Sequence, residues 1–121
     1  MTEYISLTEA VERESELVFK RLEPRMMIAV ELARRDAIRN GRDQLETIGR
    51  NEQVDAIFRE AITEGSRAGL GWIALDSAFN APGSGVERVR EHCERTREKA
   101  KRWFVSIVAR LVPGLRLKGT L

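Results

Sequence analysis

The chain has 121 residues, 42% of them apolar and 33% charged, which is enough for one domain with a buried core and too apolar for a disordered segment. Its net charge of +2 conceals a division: residues 1–85 carry eleven bases and fifteen acids, a balance of −4, whereas residues 86–121 carry ten bases and four acids, a balance of +6. One cysteine, Cys93, excludes an intramolecular disulfide and a cysteine-based zinc cage, no apolar run reaches the ~20 residues of a membrane span, and Met1-Thr2-Glu3-Tyr4 does not open a signal peptide, so a cytoplasmic protein is expected.

Ser6-Leu7-Thr8-Glu9 has the spacing of a capping box, in which the serine hydroxyl and the glutamate satisfy each other's free backbone N–H groups. A helix is expected from there to about Leu22, with Val11, Leu17, Val18 and Leu22 turned inward. Pro24 lacks the N–H a helix interior needs and suits the first turn of a new helix, predicted over 25–39. That segment, with Met26, Met27, Ile28, Ala29, Val30, Leu32 and Ala33, is apolar on too many faces for a surface helix. Asn40-Gly41 supplies a left-handed stop. Residues 42–50 read as a connection with one helical turn ending at Gly49.

Asn51 caps the next helix, where Val54, Ile57, Phe58, Ala61 and Ile62 keep the 3–4 spacing until Gly65 ends it. Ser66 is the expected cap of a further helix with Ala68, Trp72, Leu75 and Phe79 on one stripe. Gly69 and Gly71 weaken that helix unless they allow close packing against a neighbour. Asn80 to Gly85 is the clearest loop. Ser84-Gly85-Val86-Glu87 is a second capping box and opens a long last helix, closed by Pro113-Gly114, with a flexible tail expected over 113–121. The expected fold is all-α, a single-domain bundle of four to five helices spanning 1–121.

At ~100° per residue, Arg88, His92, Arg95, Lys99 and Arg102 share one line on the last helix. Val89, Cys93, Ala100, Phe104, Ile107 and Leu111 share an apolar line, and Glu87, Glu91, Glu94 and Glu98 an acidic one. Glu91 with Arg95 and Glu98 with Arg102 have the i,i+4 spacing that supports a helix by ~0.3–0.5 kcal/mol without a ligand. Past Glu98 no nearby acid answers the bases, so Lys99, Lys101, Arg102, Arg110, Arg116 and Lys118, with Arg95 on the same basic line, form the expected contact with an acidic partner. A row of such side chains suits a nucleic-acid backbone, with affinity from counterion release. Trp103, beside the row, is placed to stack on a base.

No catalytic set emerges. His92 and Cys93 diverge by ~100° as helix neighbours and cannot form a nucleophile–base pair. Cys93 reads as a core residue and His92 as solvated. One histidine cannot furnish a di-iron bundle, and Gly83-Ser84-Gly85 lacks the lysine of a phosphate loop. A non-enzymatic protein without cofactor or metal is therefore expected. In size, helical content and charge layout the chain resembles the small subunits of CRISPR effector complexes, which line up along bound nucleic acid. That resemblance covers shape class and implies a small helical subunit of an RNA-containing nucleoprotein assembly, in contact with nucleic acid and neighbouring protein. An alternative is a phage- or plasmid-encoded assembly factor or inhibitor whose basic face meets an acidic protein surface or a second copy of itself. A third is a helix-turn-helix-like regulator built on Ile73 to His92.

Overall fold

The structure, a computed structural model, describes residues 6–114. The described residues form five helices and no strand: α1 (Leu7–Arg39), α2 (Gln44–Arg50), α3 (Glu52–Arg67), α4 (Leu70–Asn80) and α5 (Gly85–Leu111). The all-α expectation holds; the predicted tail lies mostly outside the described residues.

α1 begins where expected, with Ser6 Oγ accepting the Glu9 N–H at 3.1 Å. It does not break at Pro24, which sits inside one continuous helix of 33 residues. An interior proline costs ~3 kcal/mol through a lost hydrogen bond and a ring clash. Here Pro24 and Lys20, whose carbonyl loses its donor, are both exposed, on the solvent side of the helix. The inner face runs straight past the site, with Leu22, Met26 and Val30 fully buried, and that burial holds the two halves in line. The inward assignment of Leu17 fails, since it is 63% exposed, and Ile28 and Leu32 of the segment expected to be too apolar for a surface also face solvent.

Gly41 takes φ +65° and turns the chain, and Asp43 Oδ1 accepts the Glu46 N–H at 2.8 Å to start α2. That helix seals the core with Ile48. Asn51 Oδ1 accepts the Val54 N–H at 2.9 Å and caps α3 as expected. Gly65 does not end α3. It lies within the helix, buried, where a Cβ would come 2.8 Å from Thr96 Cγ2, so its role is to let α5 approach. Ser66 is no cap either; Gly69, at φ +84° and packed on Val11, precedes α4.

Ion pairs and contacts give the directions of the helices. Glu12 meets Lys99 and Glu23 meets Arg110, the same sequence offset twice, so α1 and α5 run parallel. Arg21 pairs with Glu64 and Arg25 with Glu60, so α3 runs antiparallel to α1. Between the three sits the core, including Phe19, Leu22, Met26, Val30, Ile57, Ala61, Ala100 and Ile107. Phe58 and Phe104 tilt together across it with ring centroids 5.7 Å apart.

α4 is the connector. α3 ends, and α5 starts, beside the first turns of α1, and α4 bridges that end of the body through Gly69 on Val11, Trp72 on Glu14 and Asp76 on Arg88. The second capping box does not form: the Ser84 hydroxyl donates to the Ala81 carbonyl at 2.7 Å instead of receiving a backbone N–H. α5 ends near the predicted point, with Gly114 at φ +79°.

Candidate interaction surfaces

Three surfaces bear on function: the bases of α5, the cleft between α1 and α5, and the outer side of α4. The bases of α5 do not form the open row that their spacing predicts. Lys99 Nζ lies 3.6 Å from Glu12 of α1, and its side chain is only 23% exposed. Lys101 Nζ lies 3.2 Å from Glu98, and Arg110 donates to Glu23 Oε1 at 2.6 Å. Arg95 Nη1 stands 3.9 Å from Glu91, the expected i,i+4 pair. Arg102, expected to pair with Glu98, is exposed with no ion pair among the described residues, and Lys101 takes that glutamate. Arg97 is likewise exposed and unpaired among them. Arg116 and Lys118 lie outside the described residues. The bases past Glu98 are thus partly answered after all, by acids 87 residues earlier that parallel packing brings alongside.

Trp103 is half-buried against Phe19, ring centroids 5.4 Å apart, and its indole N–H is buried without an acceptor among the described residues. The ring that was a candidate for base stacking is therefore one wall of the core's edge.

The line Arg88, His92, Arg95, Lys99 turns toward α1 and α4, where it lines a cleft of about 190 Å³ with Glu12, Ser15 and Thr96. His92, expected to be solvated, is 3% exposed and donates from Nε2 to the Ala68 carbonyl at 2.8 Å. The cause is the turn between α3 and α4, whose extended backbone at Ala68 frees a carbonyl beside α5. Ser15 likewise donates to the Gly65 carbonyl at 3.1 Å. These two buried side chains tie α1 and α5 to the end of α3.

Arg88 donates to Asp76 Oδ2 at 2.5 Å and to Ser77 Oγ at 3.2 Å. Hydrogen bonds from Asn80 first, and from Arg88 next, hold the Asp76 carboxyl below the usual carboxylate range. This anchor and Gly69 fix the rotation of α4. Ile73 and Ser77 face inward, and the apolar stripe marked by the periodicity is on the outside: Trp72 is 43%, Leu75 52% and Phe79 78% exposed. Two helical stripes compete in this segment, and the polar link to Arg88 selects the smaller one. The would-be recognition helix of a regulator likewise spends Arg88 and His92 on its own chain.

The outer side of α4 consists of Gly71, Trp72, Ala74, Leu75, Ala78 and Phe79, all exposed and none charged. With Leu7 and Ala10 of α1, part of it walls a shallow groove of about 470 Å³. The Trp72 indole N–H donates to Glu14 Oε1 at 2.9 Å, which holds the exposed ring in place. Periodicity marks Trp72, Leu75 and Phe79 as one stripe and does not say which way it faces. A signal was present in composition: residues 68–86 contain a single charge, Asp76, in a chain that is one-third charged.

Among the described residues no group of His, Cys, Asp and Glu has the arrangement of a metal site, and no helix is long and apolar enough to cross a membrane. Comparison with protein-family models, with curated proteins and with solved structures yields no match.

Proposed function

We propose that this chain is a non-catalytic assembly subunit, a helical body that docks onto protein through the outer side of α4. The observation that carries the reading is that face itself: six exposed residues without a charge, three of them large and apolar. Contiguous exposed apolar surface on a folded chain costs free energy in water and marks a contact site. Aromatic anchors held in place before binding lose little conformational entropy when covered. The test is the size of the chain in extract of its own cells, measured for wild type and for Phe79→Asp. Wild type should run well above its 13.8 kDa mass and the folded variant should run smaller. A wild-type chain that runs as a 13.8 kDa monomer sinks the reading.

A second reading, contact with a nucleic-acid backbone, is favoured by Arg97 and Arg102, exposed and free of acids among the described residues. Exposed ion pairs such as Lys101 with Glu98 are worth only ~0–1 kcal/mol, so a phosphate can compete for their cations. This reading expects oligonucleotide binding that weakens steeply with salt for all sequences alike. Absence of binding at low salt ends it.

A further inference from the structure

We infer that the cleft between α1 and α5 is a binding site for a phosphate group, held between Arg95 and Lys99. This site is separate from the outer side of α4. Arg88, His92, Arg95 and Lys99 follow one line of α5, and α1, packed parallel to it, closes that line into the cleft of about 190 Å³. The first ground is unmet hydrogen bonding. Lys99 Nζ stands 3.6 Å from Glu12 and Arg95 Nη1 3.9 Å from Glu91, both beyond hydrogen-bond reach. The Lys99 side chain is only 23% exposed, so its ammonium has given up water without gaining an acceptor among the described residues. Glu12 and Glu91 are about half exposed and keep water of their own.

The second ground is charge and spacing. Arg95 and Lys99 lie one helical turn apart, so their side chains start ~5–6 Å from each other and close on a single anion. Arg88 stands two turns before Arg95, ~10 Å along the axis, and adds its charge to the field while its Nη1 serves Asp76 and Ser77. The lining thus sets three bases against two acids, Glu12 and Glu91. A phosphate group, with a charge of about −1.5 to −2 at neutral pH, answers both Arg95 and Lys99, as a carboxylate does not. The third ground is the wall. Of the four polar side chains buried among the described residues, Ser15, His92 and Thr96 line this cleft. Ser15 and His92 donate to the Gly65 and Ala68 carbonyls and Thr96 sets its methyl group against Gly65, so the wall is fixed before a ligand arrives. The volume is below the ~300–1,000 Å³ of pockets for drug-sized ligands, so the cleft takes the phosphate group and not the body of a nucleotide.

Titration of the purified chain with sodium phosphate near neutral pH, followed by amide NMR and compared with sodium chloride at equal ionic strength, tests this. Phosphate should give saturating shifts at the amides from His92 to Lys99, and chloride should not. Arg95→Gln and Lys99→Gln should each raise the dissociation constant at least about tenfold, the worth of one hydrogen bond to a charged group, while circular dichroism stays unchanged. Glu12→Gln, which keeps Lys99 and removes its competing acid, should lower it. Arg97→Gln, on the same helix but outside the cleft, should leave it unchanged. A short oligonucleotide added to the phosphate-loaded chain separates the two sources of the group. Displacement assigns the cleft to a nucleic-acid phosphate, and no displacement assigns it to free phosphate or a small ester. Absent shifts, shifts that chloride reproduces, or a loss with Arg97→Gln equal to that with Lys99→Gln overturn the inference.

Discussion

Gly65 and His92 show how a single side chain, or its absence, sets helix distances here. A Cβ at Gly65 would meet Thr96 Cγ2 at 2.8 Å, inside a contact between α3 and α5 that has no slack, since Thr96 is 1% exposed. Forcing a methyl into such a site costs ~1–3 kcal/mol, more than the ~1 kcal/mol that alanine gains over glycine within a helix. Gly65→Ala should therefore lower stability in denaturant unfolding. In a Thr96→Ser background, which removes Cγ2, the same change should raise it. Equal effects in both backgrounds would show that the contact does not govern the helix spacing. Read along the chain, Gly65 looks like a helix stop and His92 a solvated member of a basic line. The close approach at Gly65 and the buried acceptor for His92 both come from other parts of the fold.

α4 is held to the body by few contacts, and the pair of Asp76 with Arg88 is the most polar of them. Because the folded-state pKa of Asp76 lies below its unfolded value, its contribution is present above the ordinary carboxylate range. It is lost as pH falls through the folded value. Between about pH 5 and pH 2.5, wild type should lose more thermal stability than Asp76→Asn, which has no such proton to bind. Equal losses would remove Asp76 from the anchor. The same element shows where periodicity stops being informative. Gly69, Ile73 and Ser77 make one stripe and Trp72, Leu75 and Phe79 another, and hydropathy favours the second. A connector laid over the end of a three-helix body has only one side to bury, and the link of Asp76 and Ser77 to Arg88 decides for the first. α1 departs from its local signals for the converse reason. Pro24 is a local signal for a break, but Leu22, Met26 and Val30 on either side bury into one continuous core.

Across the described residues, the charge division is partly spent internally. Acids of α1 face bases of α5 at a constant offset along parallel helices, and acids of α3 face bases of α1. This layout makes a sharp prediction for the nucleic-acid reading. Glu12→Gln with Glu23→Gln frees Lys99 and Arg110, and oligonucleotide binding should tighten with a salt slope steeper by about two, or ~0.9 per added phosphate contact. An unchanged slope would mean that these cations do not reach phosphate. Either way the fold should persist, because exposed or half-exposed pairs contribute only ~0–1 kcal/mol each.

By itself the sequence determined the class of the fold, the caps at Ser6 and Asn51, the turn at Gly41 and the apolar line through Ala100 and Ile107. All of these depend on residues within a few positions of one another, where backbone geometry and helical period act directly. Tertiary structure alone decided that α1 runs through Pro24, that Lys99 and Arg110 find acids, that His92 is buried and that α4 shows its aromatic side to solvent. Each of those outcomes is a choice between locally equivalent options. The choice is made by what a distant helix brings alongside: Glu12 and Glu23 for the bases, the Ala68 carbonyl for His92, Arg88 for α4.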